Sequence, residues 1–505
     1  MNQTGYRARL VSAFVSLGLA TAVAGCTTYR IVRWREPGSA NQDAIFPQRL
    51  VRRSGASFEF ARSAVPRTDI DTIAVRDIDG RMRPFAHYAM ARHLKAFVVI
   101  RNDTILYERY FDGYTDSTRS SSFSVAKAVT SILLGIALDR GEIRSLDDPI
   151  TTYIPELARK PAFQGVTVRH LLEMKSGFAY TATNGHLWHD LTSSDARYFY
   201  TTDRHAALAD QHRQDEPGTR WIYKDSDAQL LGWVLTNATG RSVAKQLEER
   251  VWRNIGAEFG ASWNLDHRGS DGSENTAAGF NATARDFARL ARLYLHHGES
   301  NGTQVVPAAW VDASTTLAPR PEPEVPVWWQ MQHQHYWWIP MQNWPAERDF
   351  FADGAKGQRL YVDPRTNTII VQLADDDAQD FPFRRITHYL AGEPYRYPRG
   401  IPGLLYQAAQ RGASADSVRA LFRQLTADQS KDPAGYFINE AGMIQVGNAL
   451  LAEPAHVQAG VAVLELSSQR SPNSLLSRSA LAHAYEHVGD TVRARTLRQR
   501  TAGEP

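Results

Sequence analysis

The stretch Ser121–Gly141, reading SSFSVAKAVTSILLGIALDRG, has apolar or small residues on nearly every side of a predicted helix. A helix that is apolar all round has no solvent face, so it must lie in a core. Ser121 or Ser122 is a candidate N-cap, and Gly141 a candidate C-terminal stop. Ser124 then falls in the first turn, with Lys127 one turn further along the same face. A lysine on so apolar a helix needs a partner or a task. One task fits the spacing: a serine hydroxyl is a weak nucleophile until a base takes its proton. Lysine is such a base only when neutral, and an ordinary pKa near ~10.4 keeps it charged at pH 7. Burial lowers that value, by as much as ~3–5 pH units in extreme cases. The apolar surroundings are therefore read as part of the chemistry. The backbone N–H groups of the helix N-terminus favour negative charge near Ser124.

The 505 residues are enough for two or three domains. A formal net charge of +3 is too small to point to a nucleic-acid partner. The single cysteine, Cys26, excludes an intramolecular disulfide and a cysteine-built metal site. Its position is informative. Arg7 and Arg9 precede an apolar run from Leu10 to Gly25 that is too short to span a bilayer and ends in small residues. Val23-Ala24-Gly25-Cys26 resembles a bacterial lipobox. That resemblance implies a signal peptide over residues 1–25, lipidation of Cys26 and a periplasmic location. Thr27, not being aspartate, favours the outer membrane. Residues 26–60 mix Pro, Gly, Ser, Arg and Asn without periodicity and read as a tether.

Further along, Leu94–Phe111 holds two alternating runs split by Asn102-Asp103, a hairpin signal. Thr167–Phe178 reads as a short capped helix ended by Ser176-Gly177. Residues 179–217 are polar and aromatic without clear periodicity, a length expected of a loop covering a site. Leu230–Asn237 begins a helix closed by Gly240, and Ala282–His297 is amphipathic. Gln358–Val362 and Thr368–Leu373 read as strands around an Asp-Pro turn. Strands open and close this region with helices between, so an α+β domain is expected over 61–395. From 396 to 505 the pattern is helical throughout, and LAHAYEHVGDTVRAR resembles a tetratricopeptide repeat. Such a helical domain could dock a protein partner.

Taken in order, five stretches resemble the serine β-lactamase and penicillin-binding-protein superfamily. They are Ser124-Val125-Ala126-Lys127, TVRHLLEMKSGF at 167–178, PGTRWIYKDSDAQLLGWVLTNATGRS at 217–242, NATARDFARLARLYLHHG at 281–298 and GQRLYVDP at 357–364. The likeness is to the class C-like branch, with its esterases, D-aminopeptidases and 6-aminohexanoate-dimer hydrolases. It implies a β-lactamase/transpeptidase-like fold, an antiparallel sheet flanked by helices plus an all-helical subdomain. It implies a serine acyl-enzyme that needs neither metal nor cofactor. It makes Tyr223 the third catalytic group beside Ser124 and Lys127, sharing a proton with the lysine. The backbone N–H groups of Ser124 and Ala355 would form the oxyanion hole.

Two departures from the family pattern narrow the expectation. Asp225 stands where Tyr-x-Asn is usual; an aspartate would hold Lys127 more firmly charged and shift the base role toward a Tyr223 phenolate. The third motif falls at Ala352-Asp353-Gly354 and lacks its cation, although Lys356 and Arg359 are near. Asp353 and Gly354, with Asp225, are candidate substrate-binding residues. A missing cation argues against efficient β-lactam or D,D-peptide hydrolysis and leaves ester or linear-amide hydrolysis of a small molecule or peptide. The alternative is a non-catalytic or weakly catalytic penicillin-binding-like protein of D,D-carboxypeptidase type that acts on or holds cell-wall peptides. His186, His189, His333 and His335 have metal-like spacing but no complete ligand set, and read as solvated loop residues. The tryptophans between 328 and 344 could line a pocket or simply pack.

Overall fold

The computed structural model describes residues 27–34, 39, 42, 45–53, 55–76, 81–183, 187–316, 331–340, 348–376, 382–433, 435–438, 440–472 and 474–502. Cys26, and with it the lipidation site, lies outside them, as do His186, Trp328, Trp329 and Trp344. Contacts divide the chain into two compact units. One holds residues 1–316, 333–339 and 348–387, the other 317–332, 340–347 and 388–505.

In the first unit the Asn102-Asp103 signal does make a hairpin. Leu94–Arg101 pairs antiparallel with Thr104–Tyr110. Both turn residues take left-handed φ, 51° and 56°, the conformation a two-residue hairpin turn demands and Asn and Asp tolerate. The other face of the pairing is closed by late strands: Leu94–Arg101 also pairs with Thr368–Ala374, that strand with Gln358–Asp363, and that with Phe350–Gly354. Early and late chain thus meet in one sheet, which among the described residues has eight strands once Met331–Gln334 and Trp337–Pro340 at one edge and Ala61–Arg62 at the other are included. The turn between Asp363 and Thr368 is fixed by Asp363, whose Oδ1 accepts from the N–H groups of Arg365 and Thr366. The amphipathic helix Ala284–Leu295, capped by Thr283, packs its apolar face on this sheet.

The helix predicted from Ser121–Gly141 spans Val125–Asp139, and every residue from Val125 to Ala137 is buried. Fully burying each of Ile132, Leu133 and Leu134 contributes about 1.5–3 kcal/mol. Gly135 is required for packing: a β-carbon there would lie 2.4 Å from the Trp310 ring. Gly141 ends the helix with φ 68° as expected. Thr167 caps Val168–Leu172 through a capping box completed by His170.

Three expectations change. Residues 27–60 are not a free tether. Residues 27–34 form a helix whose Ile31 is buried with Phe46, Ala196 and Tyr200, and Gln48–Val51 pairs with Ala261–Asn264. Burial of Ile31, Phe46, Val51 and Phe60 outweighed the loop-like composition. The second change concerns 179–217, which holds the helices Leu187–Asp190, Ser194–Tyr200 and Arg204–Ala209. The last two start at side-chain N-caps, Ser193 and Asp203. The base of this lobe is closed: Phe178 bridges Arg213, and the Gly177 carbonyl accepts from the N–H groups of Gln214 and Asp215. Third, the helix expected near Leu230 starts earlier and spans Asp225–Thr239.

The second unit is helical over most of its described length. Ile401–Gln410 and Ala415–Lys431 are followed by the antiparallel neighbours Glu440–Leu451 and Val457–Arg470, then Leu475–His487 and Thr491–Ala502. Leu405, Val418, Met443, Leu450 and Val463 build one core; Leu464, Leu481, Ala484 and Tyr485 build a second. Gly447 lets two helices approach, since a β-carbon there would lie 2.4 Å from Leu464.

Candidate active site

Strand Ser120–Ser121 pairs with Phe280–Ala282, and the Ser122 N–H donates to the Phe280 carbonyl. The chain then turns through Phe123, whose φ of 42° is strained backbone for an aromatic residue, of the kind found at functional sites. The turn sets Ser124 at the N-cap of the buried helix, a place expected for Ser121 or Ser122. The Ser124 hydroxyl makes no capping bond, so its oxygen is left for other partners. Ser124 is partly exposed while its neighbours on both sides are buried.

Lys127 is 1% exposed, and each of its three N–H donors is used. Nζ donates to Ser124 Oγ at 2.8 Å, to Asp225 Oδ1 at 2.6 Å and to the Ala277 carbonyl at 3.1 Å. Tyr223 lies against the same pair, with the ammonium 4.8 Å from its ring centroid and both Ser124 and Lys127 acting on its phenol. The structure thus brings together Ser124, Lys127, Tyr223 and Asp225, from the starts of two helices about one hundred residues apart in sequence, Tyr223 lying just ahead of the second. Asp225 reaches the lysine because its helix begins there, placing it in the first turn, where a carboxylate complements the helix dipole.

The electrostatics match the expectation that Asp225 keeps Lys127 charged and differ from it at Tyr223, where a phenolate was expected. Burial is the largest influence on Lys127 and pushes its pKa down, but Asp225 and Tyr223 together outweigh it and hold the ammonium above its ordinary value. Tyr223 is also raised: burial pushes the phenol up, the Lys127 charge only partly offsets this, and Asp225 adds to the rise. A neutral lysine and a Tyr223 phenolate are therefore both minor forms at neutral pH. The resting group is an ammonium, a carboxylate and a phenol.

The third-motif strand meets the same point. A β-carbon at Gly354 would lie 2.3 Å from the Ser122 carbonyl oxygen and 3.2 Å from the Ser124 nitrogen. Glycine is what lets strand Phe350–Gly354 approach the start of the Ser124 helix. Ala355, next in the chain, is exposed, and Lys356 takes a left-handed φ of 61°. Asp353 and Arg359 are directly opposed across two strands and form an ion pair at 3.0 Å, with Arg359 1% exposed. Arg359 is thus buried against a carboxylate and does not replace the missing cation.

Several residues join the site unannounced by any sequence motif. Tyr180, at the base of the 179–213 lobe, donates to Asp195 Oδ1 at 2.7 Å, and the nearby Asp225 adds to the rise of its buried phenol. Burial, and secondarily the charge of Asp225, raise the Asp195 carboxyl, while bonds from Tyr180 and Thr183 pull it back. The Ser193 cap ahead of Asp195 was the signal that could have marked this helix. His333, read as a loop histidine, is 3% exposed. It packs with Trp221, Tyr223 and Trp338 at ring separations of 5.8, 5.7 and 4.7 Å. His335 stacks on Trp310 and His189 contacts the Ala182 carbonyl. Among the described residues no cluster has the makings of a metal site. The tryptophans divide: Trp338 lies 5.8 Å from Tyr223, while Trp337 is buried against Tyr294 and Phe350.

Comparison with known proteins agrees with this geometry. Residues 89–392 match the Beta-lactamase family. The 6-aminohexanoate-dimer hydrolase of Paenarthrobacter ureafaciens is 26% identical over 326 residues, covering 62% of this chain and 79% of that protein. The Beta-lactamase of Escherichia coli K12 is 31% identical over 141 residues, 28% of this chain and 34% of that one. A solved Bacillus anthracis protein, provisionally described as a 6-aminohexanoate-dimer hydrolase, superposes with a TM-score of 0.61. It is 26% identical and covers 72% of this chain and 95% of its own. With a family match over more than half its length, the chain belongs to the beta-lactamase family of serine hydrolases, in the class C-like branch of the serine β-lactamases and penicillin-binding proteins.

Proposed function

We propose that the protein hydrolyses a small linear amide or ester through an acyl-enzyme on Ser124, with Lys127, Asp225 and Tyr223 moving the protons. The observation that carries the reading is the 2.8 Å bond from the buried Lys127 ammonium to Ser124 Oγ, with Asp225 2.6 Å away on the same nitrogen. In the first step Lys127 passes one proton to Asp225, and its freed lone pair takes the Ser124 proton as Oγ attacks the carbonyl carbon. No net charge enters the site, because an ion pair becomes a neutral pair. The negative charge of the tetrahedral intermediate falls to the backbone N–H groups of Ser124 and Ala355. Tyr223 gives its phenolic proton to the leaving nitrogen or oxygen and regains one from Lys127, which recovers its own from Asp225. Water repeats the sequence on the acyl-enzyme.

The substrate side favours a linear amide with an amine near the scissile bond. Asp195 adds a second carboxylate close to Asp225, and the nearby guanidinium is held by Asp353. Such a site attracts cations and repels carboxylates. The name carried by the Paenarthrobacter relative, a hydrolase of 6-aminohexanoate dimer, is of this chemical class. Lipidation of Cys26, residence in the periplasm on the outer membrane, and a protein partner for the helical unit complete the proposal.

The test is covalent labelling of the full chain with a fluorophosphonate, followed by hydrolysis assays on p-nitrophenyl esters, 6-aminohexanoate dimer and nitrocefin. Labelling lost in Ser124→Ala, turnover of the dimer or esters and slow nitrocefin turnover are expected. Labelling that survives Ser124→Ala, or none at high probe concentration, overturns the reading in favour of a binding protein.

A further inference from the structure

Behind Tyr223 and Asp225 lies a second buried charge pair that the proton path does not use. Lys224 and Asp227 are each 0% exposed, an expensive condition for an ammonium and a carboxylate unless they serve each other. Asp227 Oδ1 accepts from the Ser176 hydroxyl at 2.6 Å. Its Oδ2 accepts no hydrogen bond among the described residues and faces Lys224 Nζ at 4.0 Å. Lys224 Nζ in turn donates to the Phe178 carbonyl at 3.2 Å.

Each contact bears on the site. Ser176 and Phe178 flank Gly177, whose carbonyl closes the base of the lobe that carries Tyr180 and Asp195. A β-carbon at Gly177 would lie 2.2 Å from the Asp215 carbonyl oxygen, so the two ends of the lobe are pressed together there. Lys224 is the residue between Tyr223 and Asp225, and the Ile222 N–H donates to the Met174 carbonyl. The segment 222–225 therefore lies along 174–178, fastened by backbone at one end and by the Lys224–Asp227–Ser176 group at the other.

We propose that Lys224, Asp227 and Ser176 form a positioning clamp, which when Asp227 is ionised holds Tyr223 and the base of the 179–213 lobe in the arrangement needed for acylation of Ser124. The inference rests on the hydrolase reading for its effect on rate, but the clamp itself is read independently below. Burial is the chief influence on Asp227 and pushes its carboxyl up to about 6, with Lys224 and Ser176 pulling it down. The other groups facing it are phenols: Tyr198 on helix Ser194–Tyr200 and Tyr336 on the hairpin after Gln334. Both are raised by burial and stay neutral across the range in question. Lys224 is thus the positive charge set against Asp227. When Asp227 takes up a proton, the ammonium keeps its place with no counter-charge and the clamp loosens.

The experiment follows fluorophosphonate labelling of Ser124 in the full chain from pH 4.5 to 8.5. It is joined by hydrogen exchange of the amides at 177–180 and 212–215, corrected for intrinsic rates. In the wild type, labelling falls and exchange rises as the pH drops through about 6. In Asp227→Asn the charge pair is broken at every pH. Labelling at pH 7.5 slows roughly tenfold, and the transition near pH 6 disappears from both measurements. In Lys224→Gln/Asp227→Asn no charge is left unpaired, so part of the rate returns while the transition stays absent. A structural role alone would lower the melting temperature of both variants and leave the transition in place. If Asp227→Asn fails to fold, the double variant decides: a persistent transition overturns the clamp. So does a wild type whose lobe exchange does not change through pH 6. A wild type with that exchange transition but no labelling supports the clamp and overturns only the hydrolase reading.

Discussion

Replacing Asp225 with asparagine tests the proton path at its most unusual point. The Asp225 carboxylate lies 2.6 Å from Lys127 Nζ. At an effective dielectric near 20, two unit charges at that distance attract by roughly 6 kcal/mol, all of it favouring the charged lysine. The Asp225 side chain is 12% exposed, and solvent screening leaves about half of this. In Asp225→Asn burial remains and the larger of its two opponents is gone, leaving only Tyr223, so Lys127 falls from above its ordinary value to below it. The two forms then differ in their pH dependence. In the wild type the proton moves within an ion pair whose total charge is unchanged, so the acylation rate is flat between about pH 7 and 9. In Asp225→Asn only the neutral lysine is competent, and the rate climbs about tenfold per pH unit until the lowered pKa is reached. Stability gives an independent reading. A wild-type Lys127 held above its unfolded value contributes stability that is complete below that value and lost only in strong alkali. The variant's lysine is held below its unfolded value, so stability rises with pH, from a deficit of about 3–5 kcal/mol where the ammonium is buried alone. Stopped-flow acylation by a p-nitrophenyl ester and melting curves at pH 7, 8 and 9 supply the data. A variant with a flat rate profile at the wild-type level, or a pH-independent melting temperature equal to the wild type's, would refute the reasoning.

Other outcomes follow from single contacts. Tyr223→Phe keeps the ring against His333 and Trp338 but removes the hydroxyl, and ester turnover should fall about 10²–10⁴-fold with little change in melting temperature. Gly354→Ala forces a methyl group toward the Ser122 carbonyl; a loss of about 1–3 kcal/mol in urea unfolding is expected, with slower Ser124 labelling. Asp195→Asn should raise KM for an amine-bearing amide about tenfold and leave a neutral ester unaffected, as steady-state kinetics on the two substrates will tell.

How much of this was legible in the sequence depended on the range of each interaction. The Leu94–Tyr110 hairpin, the Thr167 cap and the Gly141 stop are written within a few residues, and periodicity with turn chemistry finds them. The Ser124 helix was legible because it is apolar on all sides. The charge state of Lys127 was legible in part: Asp225 was expected to hold it charged, but the contact spans 98 residues and only the fold supplies its geometry. Arg359 looked like a spare cation in the linear chain; strand register places it opposite Asp353 and removes it from the site. The lobe was read as a cover for the site, but its helices were missed for a similar reason. Its helices are short, so periodicity is weak, and Asp195 acquires meaning only when Tyr180 brings it beside Asp225. Residues 27–60 read as slack because composition was weighed there and the buried Ile31 and Phe46 were not.

The closed base of the 179–213 lobe has a consequence for how such an enzyme can diversify. Its two ends are joined at Gly177–Ala179 and His212–Asp215, so the residues between can lengthen or change sequence with only a slow, logarithmic increase in closure entropy. Ser124, Lys127 and Tyr223 lie outside that interval, while Tyr180 and Asp195 lie within it. Selection can therefore rewrite what the site accepts, by drift confined to one insert, without touching the groups proposed to make and break the acyl bond.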